Sequence, residues 1–222
     1  MSVPLPEDAR QMAVSFMTTE HFALQGSRGM TISESNGRAG LFLSSLSSAL
    51  VALGFAATAS SFGQSFSVFA LLILPPIAFL GFVTFQRTVQ SGVDDEMYSR
   101  GINRIRRFYL EMVPELGPYL IPPAPEGGIT AVVIHGKRAQ HWQSFLTIAS
   151  VVGVMNSVVI GGIVGIAVDL LAEPDLPVTL AIGVVVALIT ATFHASYQSR
   201  QWRSSFGSFS AMFPQDGSNG GA

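Results

Sequence analysis

The sequence contains no cysteine and has few charged residues. None of its 222 residues is Cys and 12% are charged, whereas an ordinary soluble domain has about 25% charged residues. The missing thiols exclude disulfides, thiolate metal sites and cysteine nucleophiles. With 49% hydrophobic residues and a mean hydropathy of +0.46, the composition indicates an all-α membrane protein rather than a water-soluble domain.

The sequence also lacks an excess of basic residues and the motifs of common enzymes. Its net charge of -2 at pH 7 gives no general attraction to nucleic acid, so we expect no nucleic-acid partner. It has no G-x-S-x-G elbow, P-loop, H-E-x-x-H or G-x-G-x-x-G motif, each of which marks a particular reaction or cofactor. We therefore expect a non-enzymatic protein with no catalytic residues, no cofactor and no metal site.

Four apolar runs contain no Asp, Glu, Lys or Arg. Each run has about 20 residues, the length of helix that crosses the hydrocarbon core of a bilayer. The first two are separated by Gly63-Gln64-Ser65, and the last two by the acidic, proline-containing stretch from Asp169 to Pro177. The pattern predicts four transmembrane helices arranged as two tandem helical hairpins. The runs are Leu41 to Phe62, Phe66 to Phe85, Phe145 to Val168 and Val178 to Tyr197.

The 12 Lys and Arg residues all lie outside the two predicted hairpin turns. Cytoplasmic loops of membrane proteins carry an excess of these residues. The distribution predicts a multi-pass protein of a cell inner membrane with both termini and the central segment in the cytoplasm. The predicted parts are the N-terminal segment 1–40, the first hairpin 41–86, the central segment 87–143, the second hairpin 144–199 and the tail 200–222, which ends in disorder.

Two cytoplasmic parts show helical patterns. Residues Glu7 to Gln25 resemble an amphipathic helix that glycines end, although the first span could equally extend into the cytoplasm as one long helix. In the central segment, Asp94-Asp95-Glu96 resembles a helix start and Pro114 a stop. The pattern predicts a separate amphipathic helix whose arginines contact lipid headgroups or a cytoplasmic protein partner; an ordinary solvated face is the alternative. These arginines are Arg100, Arg104, Arg106 and Arg107.

Small residues recur every fourth position in the third and fourth spans. In lipid, such faces allow helix backbones to approach closely. They predict helix packing, either within one bundle or in a homo-oligomer. The residues are Gly153, Ser157, Gly161 and Gly165 in the third span and Gly183, Ala187 and Ala191 in the fourth.

Polar and proline residues inside the spans are the remaining candidates for function. Asn156 is a mid-membrane carboxamide, which predicts either an interhelical hydrogen bond or a place in a pore wall. Ser44 and Ser48 are candidate pore residues as well, unless their hydroxyls bond to their own helix. Pro75 and Pro76 predict a kink in the second span.

These features define an integral membrane protein without naming an activity. Besides the lipid bilayer, we expect a second copy of the chain and a cytoplasmic protein as partners. A channel or pore formed at an oligomer axis is the first functional hypothesis. The alternative is a membrane scaffold or sensor that recruits a partner through its central segment.

Overall fold

A computed structural model describes residues 6 to 120 and 147 to 212, with 206 to 212 described as backbone only. These residues form four long α-helices and one short 3-10 helix, and no strand occurs among them. The predicted all-helical fold is therefore confirmed for the described chain. The helices are α1 (Glu7–Ser60), α2 (Gln64–Met112), the 3-10 helix (Pro114–Tyr119), α3 (Ile148–Ala172) and α4 (Leu176–Met212).

Each long helix contains an apolar stretch sufficient to cross a membrane. The most apolar 18-residue windows have mean hydropathies of 1.8, 2.4, 2.3 and 2.3 in chain order. These stretches give the chain the composition of a multi-pass membrane protein. The helices α1, with 54 residues, and α2, with 49, far exceed the roughly 20 residues that a bilayer requires.

The turn between α1 and α2 lies earlier than the sequence predicts. Ser61 and Phe62 have positive φ angles of 51° and 58°, and the amide of Phe62 donates to the Ala57 carbonyl at 3.1 Å. Gly63 ends the turn, so Gln64 already belongs to α2. The chain therefore reverses at Ser61 and Phe62, whereas the sequence predicts the reversal at Gly63 to Ser65.

The predicted break in the N-terminal helix is absent, because α1 is continuous from Glu7 to Ser60. It contains Gly26, Gly29 and Gly37, although each interior glycine costs about 1 kcal/mol relative to alanine. Contacts with other helices outweigh such costs in folded proteins. The alternative of one long helix extending from the first span describes the structure.

The predicted separate helix in the central segment is also absent from the described residues. Asp94 to Glu96 lie inside α2, which ends at Met112, shortly before Pro114 as expected. The acidic triplet was misinterpreted because acids at a helix start and acids that bind a neighbouring helix look alike in a sequence. Pro75 and Pro76 lie within the same continuous helix. Residues 121 to 143 of the predicted central segment and the predicted disordered tail lie outside the described residues.

The described residues divide into two compact units. Unit 1 takes those within Met1–Glu34 and Ser91–His141, and unit 2 takes those within Ser35–Gln90 and Trp142–Ala222. Ile102 and Ile105 are buried in unit 1. In unit 2 the largest fully buried apolar side chains are Phe42, Phe85, Val89 and Val152.

Candidate functional site

The α3 and α4 helices of unit 2 pack through the small residues noted in the sequence. A methyl group added at Gly161 would collide with the Gly183 carbonyl oxygen and would lie 2.9 Å from Ala187 Cβ. At Gly165 the same group would lie 3.8 Å from the Thr179 carbonyl oxygen. These glycines are therefore used within one chain, where they let two helix backbones approach closely. Ala191 is half-buried on the same helix as Gly183.

A second group of contacts joins α2, α3 and α4 around His194. The Phe85 ring lies edge-on to the His194 ring, with a centroid distance of 4.5 Å. A methyl group at Gly153 would lie 3.2 Å from Phe85 and 3.3 Å from His194 Cβ. Ser157 donates a 2.7 Å hydrogen bond to the Gly153 carbonyl and lies 3.2 Å from His194 Nδ1. Position 153 favours glycine because the Phe85 and His194 side chains occupy the space beside it.

The hydrogen bonds of His194 fix its neutral tautomer. Nδ1 lies 2.8 Å from the Thr190 carbonyl oxygen. Because a carbonyl only accepts, Nδ1 carries the hydrogen in the neutral ring. Nε2 is buried and has no hydrogen-bond partner among the described residues. His194 therefore contacts neighbouring helices in a fixed orientation. No group of three His, Asp or Glu side chains in the described chain is placed to hold a metal ion.

Asn156 lies in the interior of unit 2, with an exposed fraction of 0%. A methyl group at Gly81 would strike its carboxamide and would lie 2.7 Å from Phe42 Cε2. Neither polar atom of the carboxamide has a hydrogen-bond partner among the described residues, a state that costs about 1 to 3 kcal/mol per buried group. Asn156 therefore lies close to Gly81 of α2, where Phe42 of α1 also lies, and within the monomer its side chain is not exposed.

The two serines singled out as pore candidates lie on the outside of α1. Ser44 and Ser48 are both exposed, and the Ser48 hydroxyl donates to the Ser44 carbonyl at 2.9 Å. A hydroxyl bonded to its own helix backbone is tolerated in lipid. Within the monomer these serines therefore line no interior path.

In unit 1, α1 and α2 are joined by contacts that sequence reasoning missed. Arg28 donates from Nε to Asp95 Oδ1 at 2.6 Å, and this hydrogen bond raises the pKa of Arg28 above its ordinary value. The hydroxyls of Thr18 and Tyr109 lie 3.4 Å apart. A methyl group at Gly101 would lie 2.8 Å from a methyl carbon of Leu24. No signal in the sequence pairs residues so far apart along the chain.

The four predicted contact arginines all lie on the unit 1 part of α2. Arg100 donates to Glu96 Oε1 at 2.9 Å, so one of them forms an ion pair within its own helix. Arg104 and Arg107 are exposed, and Arg106 is half-buried. Arg100, Arg104 and Arg107 follow one another by four and three residues in α2, a spacing that places them along one side of the helix; their contact with lipid headgroups or a protein partner stays a prediction.

Comparisons with known proteins give no relative for this chain. No protein-family model, curated protein or solved structure matches it.

Proposed function

We propose that the chain is a non-enzymatic scaffold or sensor that crosses an inner membrane four times as two helical hairpins. The support is the set of four helices with apolar stretches of sufficient length and the absence of Arg and Lys from Ser61 to Gly63 and from Glu173 to Asp175. By the positive-inside rule, both termini and unit 1 then lie in the cytoplasm.

The observation that supports the scaffold role is the continuity of α1 and α2. Each helix runs without a break from its apolar stretch into unit 1. Through this continuity, an event in the membrane-spanning part of either helix would reach the residues that unit 1 presents to a cytoplasmic partner. Unit 1 is tied together by the Arg28 and Asp95 side chains, so its two helices respond together.

The packing of unit 2 argues against conduction through a single bundle. Phe42, Phe85 and Val152 are almost completely buried there, and Asn156 is enclosed by Phe42 and Gly81. A pore formed between copies of the chain remains the second candidate, because Ser44 and Ser48 are exposed on α1. Several copies around one axis would turn these hydroxyls into a polar ring.

Flux through liposomes that contain the purified protein separates the two candidates. The scaffold proposal predicts no potassium flux and no dye release above those of protein-free liposomes, with a known pore-forming peptide as the positive control. Flux that increases with protein content would overturn it. Replacing the exposed serine by Ser44→Leu would then reduce the flux, whereas Leu188→Ala on the exposed face of α4 would leave it unchanged.

A further inference from the structure

His194 is the only histidine in the four apolar runs, none of which contains Asp, Glu, Lys or Arg. It belongs to unit 2 and is 3% exposed. An ionisable side chain at membrane depth is costly to keep, so residues of this kind commonly have a function. The proposed scaffold or sensor does not yet assign one to His194.

The hydrogen bonds around the His194 ring determine where a further proton can bind. Nδ1 donates to the Thr190 carbonyl oxygen at 2.8 Å and lies 3.2 Å from the Ser157 hydroxyl, whose own hydrogen goes to the Gly153 carbonyl. The free lone pair of the neutral ring is therefore on Nε2. Nε2 is buried and has no hydrogen-bond partner among the described residues. A proton bound there would make the ring a cation with an unpartnered N–H group.

The acidic residues in the described part of unit 2 lie far from this ring along the chain. The ring contacts Phe85 of α2 and Ser157 of α3, and Asp169 lies about 18 Å further along α3 than Ser157 at 1.5 Å per residue. The acids are Asp169, Glu173 and Asp175, all exposed near the turn between α3 and α4. The other titratable residues of the helices of unit 2 are Arg38 on α1, Arg87 on α2, and Tyr197, Arg200 and Arg203 on α4. A buried cation without a balancing acid is unfavourable, and an aromatic face such as that of Phe85 attracts a cation only weakly.

Two buried polar groups without partners lie against the same face of α2. The His194 ring contacts Phe85, and the Asn156 carboxamide lies beside Gly81. Gly81 and Phe85 are four residues apart, which places them on one side of the helix. Nε2 of His194 and both polar atoms of Asn156 have no hydrogen-bond partner among the described residues. Movement of α2 away from this surface would let water reach both groups.

The contact between α3 and α4 is held by polar bonds one helical turn from His194. Gln198 donates to Thr147 Oγ1 at 3.1 Å and accepts from the Ser150 hydroxyl at 3.2 Å. Further along the same two helices, the backbones approach closely at Gly161 and Gly183. The contact of α2 with His194 is made by the apolar ring of Phe85 instead. A charge on His194 therefore favours separation of α2 from the pair of α3 and α4 over separation of α3 from α4.

We propose that the contact between Phe85 and His194 is pH-sensitive: it holds α2 against α3 and α4 while Nε2 is neutral, and it opens when Nε2 binds a proton. The proton comes from water, and no covalent bond breaks. Opening gives water to the charged ring and to the Asn156 carboxamide. This inference names acidification as a signal for the proposed sensor and rests on that proposal for its biological use, although the contact itself involves only unit 2.

Solid-state NMR of the native chain in liposomes tests the contact without any substitution. With isotope-labelled histidine and phenylalanine, His194 should carry its hydrogen on Nδ1 alone at about pH 8 and should show a dipolar contact with the Phe85 ring. When the pH is lowered to about 5, through the range in which histidine titrates, the ring should become doubly protonated and the Phe85 contact should disappear together with this change. A hydrogen on Nε2 at about pH 8, or a Phe85 contact that persists after protonation, would overturn the proposal. A ring that stays neutral until the chain unfolds would also overturn it.

Distances between spin labels show which helices separate. Because the chain has no native cysteine, Gln90→Cys on α2 and Val151→Cys on α3 can each be paired with Ser199→Cys on α4, and all three positions are exposed. On acidification, the distances between α2 and α4 should shift reversibly to longer values, and those between α3 and α4 should stay the same. Equal shifts in both pairs would indicate general unfolding of unit 2, and the absence of any shift would show that α2 does not move. Either result would contradict the proposal.

A matched pair of histidine variants assigns the response to one ring. His194→Asn keeps a donor close to the Nδ1 position but binds no proton in this pH range, so its distances between α2 and α4 should not depend on pH. His21→Asn, in unit 1, should retain the full shift. A shift that persists in His194→Asn, or one that is lost in His21→Asn, would refute the assignment to His194. If His194→Asn fails to fold, the NMR measurement on the native chain decides the question.

Failure of this inference and failure of the proposed function give different results. Flux that increases with protein content would overturn the scaffold proposal and would leave the pH-dependent loss of the Phe85 contact in place. A Phe85 contact that persists around a protonated His194, in a protein that shows no flux, would refute the pH-sensitive contact alone.

Discussion

Arg28 of α1 and Asp95 of α2 form an ion pair with a 2.6 Å bond from Nε to Oδ1, although 67 residues separate them. The two side chains are 42% and 29% exposed, so water still screens part of their attraction. The pair joins the two helices of unit 1 beside an apolar contact between Leu24 and Gly101. It is the polar contact on which the proposed joint response of these helices depends.

Breaking this ion pair should cost a modest amount of stability. A double-mutant cycle of Arg28→Ala and Asp95→Ala should give a coupling free energy of about 0.5 to 1 kcal/mol, since partly exposed pairs rarely contribute more. Chemical denaturation in detergent measures it. The pair of Glu7 and Arg10, at 4.0 Å and more exposed, is the control and should show almost none. Equal coupling in both pairs would contradict the special role of Arg28 and Asp95.

The α3 and α4 contact should be sensitive to a single methyl group. Gly161→Ala forces Cβ against the Gly183 carbonyl oxygen, and overpacking of this kind costs about 1 to 3 kcal/mol. Thermal unfolding in detergent should therefore begin at a lower temperature in this variant. Gly162→Ala, next to it but facing open space, should unfold at the same temperature as the native chain or at a higher one, because an interior helical glycine costs about 1 kcal/mol relative to alanine. Identical unfolding of both variants would show that the two helices do not approach as described.

The contact of Asn156 with Gly81 should make the effects of the two substitutions on the free energy of unfolding non-additive. Gly81→Ala places a methyl group against the Asn156 carboxamide and Phe42, which should destabilise the protein by about 1 to 3 kcal/mol. Asn156→Ala removes one of these obstacles and also a buried amide without a partner among the described residues. The double variant should therefore be more stable than the sum of the single changes predicts. Strict additivity in unfolding measurements would contradict the contact.

The four apolar helices could be predicted from the sequence because the signal is local. Runs such as Val178 to Tyr197 exclude every charged residue, and in a bilayer a helix satisfies its own backbone groups. The length of α1 was harder to predict, since Gly26, Gly29 and Gly37 favour a break that tertiary contacts override. The residues next to a glycine in the sequence do not show which helix packs beside that part of the chain.

The contacts that define the candidate sites required the structure. The small residues of α3 and α4 were recognised in the sequence, but not the one-to-one meeting of Gly161 with Gly183. The exposure of Gly37, Gly40 and Ser44 on α1 could not be predicted either, because the sequence does not show which face of a helix is covered. Exposure depends on which face the other helices cover.

Labelling of single cysteines in intact cells tests most directly whether the chain crosses the membrane four times with unit 1 inside. Gln64→Cys places a thiol at the first residue of α2, directly after the first turn, and Asp175→Cys places one in the second turn. Gly117→Cys places one in the 3-10 helix, where a side chain meets nothing within 4 Å. The account predicts that a membrane-impermeant thiol reagent labels the first two in intact cells and labels Gly117→Cys only after the cells are opened. Labelling of Gly117→Cys in intact cells, or protection of either turn, would contradict it.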